Sequence, residues 1–203
     1  MVIWDMVLKG GIMMIPLFIT SIVSLAVIIE RAFALRKNRI LIPDIINHIS
    51  QMKNIDDTQS MLHHQKDLKG PLLNLIRVCL DHRDCSKEEI KEAVIDQGRQ
   101  EARILERGLV ILETIAGIAP LLGLLGTVLG MIRVFQVISE QGLVQTQSLS
   151  GGISEALITT VVGLSIAIPA LIAYNYFNHK VEDLILEIEK HLTELIRKLK
   201  EWI

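Results

Sequence analysis

Charged and hydrophobic positions fall along this chain in long blocks. Three stretches contain no Asp, Glu, Lys or Arg: Ile12–Ile29, Ile115–Ile132 and Ala156–His179, of 18, 18 and 24 residues. The hydrocarbon layer of a bilayer takes about 20 apolar residues in a helix, and lipid offers backbone groups no partner outside the helix itself. Each stretch therefore predicts a membrane-spanning helix. Three buried helices of a soluble bundle are the rival arrangement, and runs this long without charge fit it poorly. The first stretch also lacks the marks of a cleaved signal peptide. Only Lys9 stands ahead of it, offset by Asp5, and it ends in Ile28-Ile29-Glu30-Arg31 with no small-residue cleavage site.

Between the spans the pattern becomes amphipathic. Pro43-Asp44 and Gly70-Pro71 punctuate two short runs, one carrying Ile45, Ile46, Ile49 and Met52, the next Leu72, Leu75, Ile76 and Cys79. Ser86 and Glu89 have capping-box spacing, and Glu88 and Glu89 suit the positive end of a helix that starts there. No proline follows until Pro120, so one helix is expected from Lys87 through the second span to about Ile138. After Pro169 neither Gly nor Pro occurs. Val181, Ile185, Ile188, Leu192, Leu195, Leu199 and Trp202 then form a heptad seam, widened by Leu184, Leu186, Ile196 and Ile203. That seam fits a coiled-coil-like bundle or an amphipathic helix folded back on the inner loop equally well. The expected segmentation is an outer N-terminus (1–11), a first span (12–29), an inner helical loop (30–110), a second span with an outer extension (111–138), an outer loop (139–152), a third span (153–177) and an inner tail (178–203). The fold class is all-α, a helical integral membrane protein whose second and third helices extend beyond the bilayer.

Charge sets the orientation. Lys and Arg total 21 against 23 Asp and Glu, a formal net charge of -2, which argues against the basic footprint of a nucleic-acid binder. With 50% hydrophobic residues the chain is no disordered polymer. Fourteen of the basic residues lie between Glu30 and Glu113 and five lie from Lys180 onward, leaving only Lys9 and Arg133 on the other side. The positive-inside rule then puts the N-terminus outside and the C-terminus inside, with Arg31, Arg36, Lys37 and Arg39 beside the first span weighing most. Cys79 and Cys85 read as a reduced pair without zinc-knuckle spacing, and the adjacent His63-His64 as solvated. No phosphate-cradling loop, zinc-protease motif or nucleophile elbow is present, so neither enzyme chemistry nor a cofactor or metal is expected.

Within the spans, two features stand out. Ala119, Gly123, Gly126 and Gly130 recur at intervals of four, three and four and lay a small-residue stripe along the second span, the pattern that lets membrane helices approach closely. Thr127 lies beside the stripe, where a lone hydroxyl ordinarily bonds back to its own helix. The third span carries Glu155, then Thr159, Thr160, Gly163, Ser165 and Pro169. Position alone is compatible with Glu155 at the outer interface or within the hydrocarbon layer, and an ionisable group at the second depth is by default functional. Glu30 and Glu113 flank the inner ends of their spans and read as interfacial.

Glu30-Arg31, the run Gly123-Leu-Leu-Gly126-Thr127-Val128-Leu-Gly130-Met131, and Gly152-Ile153-Ser154-Glu155-Ala156-Leu157 followed by Thr160, Gly163 and Ile168-Pro169 together resemble the ExbB/TolQ/MotA proton-channel family, in its three-span ExbB/TolQ branch. The resemblance implies a homo-oligomeric ring of five copies in a bacterial inner membrane. That ring would surround helices of an ExbD- or TolR-like single-span partner and work with a TonB-like or TolA-like energy transducer. It also implies that Glu155, Thr127 and Thr160 line a central channel whose proton flow energises transport or envelope work. On an ideal helix Thr159 lies about 40° from Glu155 and Thr160 about 140°, so Thr159 is a rival for the pore-lining hydroxyl. A non-conducting membrane scaffold that organises partner helices is the alternative, and it would tolerate apolar residues at those sites.

Overall fold

A computed structural model describes residues 11–43, 45–46, 70–141 and 146–201. The helices are α1 (Met14–Ala34), α2 (Lys37–Ile40), α3 (Pro71–Asp81), α4 (Lys87–Glu106), α5 (Leu109–Gln141) and α6 (Thr146–Glu201). The protein is all-α over these residues, and α1, α5 and α6 are long and apolar enough to cross a membrane. Ile49, Met52, His63-His64, Trp202 and Ile203 fall outside the described residues. The chain divides into two units, one made of Met1–Glu30 with Gly108–Tyr176, the other of Arg31–Arg107 with Phe177–Ile203.

The first unit contains the apolar helices. Along α5 the enclosed positions are Leu112, Ile115, Ala119, Gly123, Gly126, Gly130 and Val134; along α6 they are Gly152, Ala156, Thr159, Gly163, Ala167 and Ala170. Steps of three and four residues keep each set on one helical face. Ile115, Ala119, Ala167 and Ala170 form the apolar core at one end of this seam. Large side chains such as Phe18, Ile22, Leu121, Leu124, Leu157 and Val161 point outward. That inversion of the soluble-protein pattern suits helices solvated by lipid or by neighbouring subunits. Pro120 and Pro169 lie inside continuous helices, a placement membrane helices tolerate.

The single helix expected from Lys87 to about Ile138 is two helices. Arg107 takes an extended conformation (φ -53°, ψ 131°) and Gly108 follows at φ 86°, in the left-handed region that only glycine enters cheaply. The buried Arg31 guanidinium donates to the Leu105 carbonyl at 3.2 Å, satisfying one of the acceptors that a helix end leaves without an intrahelical donor. The outer loop expected over 139–152 is also mostly helical: α5 continues to Gln141 and α6 begins at Thr146. No proline interrupts this stretch, and Gly152 packs against Val134.

The second unit has a conventional apolar core. Leu72, Leu73, Leu75, Ile76, Cys79 and Leu80 of α3 are buried, as are Ile90 and Leu105 of α4. On α6 the buried set is Val181, Leu184, Ile188, Leu192, Leu195, Ile196 and Leu199. Thus the heptad seam is covered by the chain's own helices, the folded-back arrangement, with Ile185 half-buried and Leu186 facing outward. Lys37 reaches Glu187 at 2.7 Å. The buried Glu101 carboxylate accepts from Asn74 at 2.9 Å and Gln97 at 2.8 Å, so its charge is hydrogen-bonded rather than stranded. Burial pushes the Cys79 thiol up to about 12, which keeps it protonated and inert at neutral pH.

At the start of α4 the capping box is complete: Ser86 N–H donates to Glu89 Oε2 at 2.8 Å and Glu89 N–H donates to Ser86 Oγ at 3.3 Å. Ser86→Ala removes one half of it and should cost about 1 kcal/mol, read as a lowered unfolding midpoint of the full chain in detergent.

Candidate functional site

The small faces of α5 and α6 bring two backbones into contact. A Cβ added at Gly123 would lie 2.9 Å from the Thr159 carbonyl oxygen, one at Gly130 would lie 3.0 Å from the Gly152 oxygen, and one at Gly163 would lie 2.6 Å from the Ala119 oxygen. At Gly126 it would strike the Thr159 side chain. The four glycines therefore mark where one helix has no room for a side chain from the other.

This approach determines what the threonines do. Thr159 is fully enclosed and donates to the Ala156 carbonyl at 2.8 Å. Thr160 is half-buried and donates across the interface to the Gly123 carbonyl at 3.3 Å, a bond that the missing side chain at 123 permits. Thr127, also half-buried, donates to Leu124 of its own helix at 2.6 Å. A hydroxyl has one proton to donate. All three are committed to backbone carbonyls, and none donates to Glu155.

Glu155 meets a different partner. Its Oε2 accepts from Arg133 Nη1 at 2.8 Å, an interhelical ion pair in which the Glu155 side chain is 18% exposed and the Arg133 side chain 61%. The pairing follows from the helical hairpin. Arg133 is eight residues before the end of α5 and Glu155 nine residues after the start of α6, so antiparallel helices place them at one level. On the remaining side lies Gly11, whose carbonyl accepts from the Met14 N–H at 3.1 Å just ahead of α1. Gly11 has φ 64°, and a Cβ there would overlap the Glu155 carboxylate. The carboxylate is thus held between a guanidinium from α5 and the backbone leading into α1. A recess of about 220 Å³ opens beside it, lined by Ile12, Met13, Gly126, Ile132, Gln136 and the ion pair among others.

The sequence points to Glu155 but not to Arg133 or Gly11. The available signal was Arg133's standing as one of two basic residues on the predicted outer side. Among the described residues no group of three His, Cys, Asp or Glu is arranged to hold a metal.

Residues 49–190 match the MotA/TolQ/ExbB proton channel family. A Synechocystis sp. protein named as a biopolymer transport protein, ExbB-like 3, is 34% identical over 177 residues, covering 84% of this chain and 82% of its own. The biopolymer transport protein exbB1 of Vibrio cholerae is 32% identical over 165 residues, 79% of this chain and 72% of its own. Biopolymer transport protein ExbB of Aquifex aeolicus is 38% identical over 103 residues, 49% of this chain and 70% of its own. With three membrane-length helices, a glycine-packed α5–α6 pair and a carboxylate within it, the chain belongs to the MotA/TolQ/ExbB proton channel family.

Proposed function

We propose that this protein is the proton-channel stator subunit of an inner-membrane motor, energising transport or envelope work through an ExbD/TolR-like single-span partner. It acts as a homopentameric ring, with its N-terminus outside and its C-terminus in the cytoplasm, and passes force to a TonB-like or TolA-like transducer. The observation that carries this reading is Glu155: the one charged residue between Gln141 and His179, two to three turns inside a helix long enough to span a bilayer. A carboxylate maintained in such a stretch is costly, and carriage of a proton explains its presence.

Glu155 is the group that binds and releases the proton. Thr127 and Thr160 line the pathway with their half-exposed surfaces and accept hydrogen bonds from water there. Thr159, with no exposed surface, packs the α5–α6 seam together with Gly123, Gly126, Gly130 and Gly163. Each proton that crosses a potential of about 100 mV contributes about 2.3 kcal/mol, enough to bias the equilibrium between two helix arrangements. The second acid that such a relay needs comes from the single-span partner.

Vesicles holding this chain and its single-span partner, under an imposed potential and pH gradient, should acidify internally at a rate that rises with the gradient and needs both proteins. Acidification no faster than in protein-free vesicles would favour the non-conducting scaffold instead.

A further inference from the structure

We propose that Arg133 gates the Glu155 site: its guanidinium occupies the carboxylate beneath the Gly11 turn, and the carboxylate is open to pathway water only after the pair parts. This rests on the reading of Glu155 as the proton carrier and adds the residue that controls access to it.

Three observations lead there. First, the contact is a charge-assisted hydrogen bond of 2.8 Å between formally opposite charges. The guanidinium therefore takes up Oε2 of the carboxylate while the pair is closed. Second, among the described residues lining the recess, Arg133 and Glu155 are the only charged ones; the others include Gln136 and apolar side chains. Among the described residues no second cation lines that recess.

Third, the two partners differ in freedom. Glu155 is enclosed between α6, α5 and Gly11, whereas the Arg133 side chain is 61% exposed. A guanidinium on a flexible stem with open space beside it can leave by changing rotamers alone. Glu155, with 18% of its side chain exposed, is the more confined of the two. Arg133 is therefore the partner that moves, and the pair is a latch rather than a fixed brace. Loss of the cation also leaves the proton balance simple: the carboxylate takes one proton from pathway water, becomes a neutral acid, and returns that proton when the guanidinium closes again.

The test is the rate at which a membrane-permeant carbodiimide modifies Glu155, read by mass spectrometry on the full chain assembled with its partner in vesicles at neutral pH. Carbodiimides react with the protonated acid, so the rate reports how often the latch is open. Arg133→Met should raise it by up to about fivefold, with a matching rise in passive proton leak. Arg133→Lys, which retains the cation, should return both toward wild type; a merely structural role would not give this rescue. Arg133→Gln keeps a donor without the charge and serves if the Met variant fails to assemble. Wild-type labelling and leak in assembled Arg133→Met or Arg133→Gln would overturn the gate. Glu155→Gln separates the two levels: if it conducts protons like wild type, the carrier reading itself falls, whereas loss of conduction with no effect at position 133 removes the gate alone.

Discussion

Glu155→Gln should reduce proton flux to the level of protein-free vesicles at every pH, while the ring and its partner still assemble. Gln has nearly the shape of Glu, and its Oε1 can still accept from Arg133 Nη1, so the α5–α6 hairpin keeps its contact. What it lacks is a carboxyl that can take up and release a proton. The loss of the charge pair should have a small effect on folding. Arg133 is largely exposed, and screened pairs of this kind contribute roughly 0–1 kcal/mol. An internal pH dye measures the flux, and detergent-stable size measures assembly. Retained flux in an assembled Glu155→Gln ring would remove Glu155 from the pathway. Glu155→Asp refines the point: it keeps the titrating group but withdraws it by one methylene from the guanidinium, so partial flux is expected there.

The membrane helices were legible because their signal is an absence. A stretch without charge is read directly and needs no knowledge of the turn that precedes it. The same holds for α6 after Pro169, where the lack of Gly and Pro leaves nothing to stop the helix. The break at Gly108 was not legible for a related reason. Gly98, Gly108 and Gly117 look alike in sequence, yet Gly98 and Gly117 are interior to helices and only Gly108 takes a positive φ. Tertiary structure separates them: Arg31, 74 residues from Leu105 in sequence, arrives to satisfy a carbonyl beside the break.

The site was half legible on the same grounds. Glu155 announced itself as one charge in an empty stretch. Arg133 did not, because its pairing depends on the length of the connection, and a loop over 139–152 gives no reason to place the two residues at one level. Helices that reach Gln141 and resume at Thr146 supply that reason. Where Thr159 and Thr160 point also depends on the second helix. Helix geometry alone groups Thr159 with Glu155, and in the folded chain the Thr159 side chain is turned to α5 against Gly126.

Gly163→Val should prevent the chain from accumulating as a folded membrane protein. A Cβ at 163 would lie 2.6 Å from the Ala119 carbonyl oxygen, 3.1 Å from Gly123 Cα and 3.3 Å from Gly123 N. All three atoms belong to the backbone of α5, so no rotamer change can make room and the helices themselves must separate. Overpacking commonly costs 1–3 kcal/mol; with backbone on both sides, about 3 kcal/mol or more is expected. Separation would also strain the Thr160 to Gly123 hydrogen bond, 3.3 Å long and held by the same approach. Gly117→Ala is the control, since a Cβ there meets nothing within 4 Å. It should leave stability unchanged or raise it by up to about 1 kcal/mol, through helix propensity. Folded yield and unfolding midpoint in detergent distinguish the two. Wild-type values for Gly163→Val would mean that the glycine stripe does not set the α5–α6 distance, and would remove the packing basis for the 2.8 Å contact between Arg133 and Glu155.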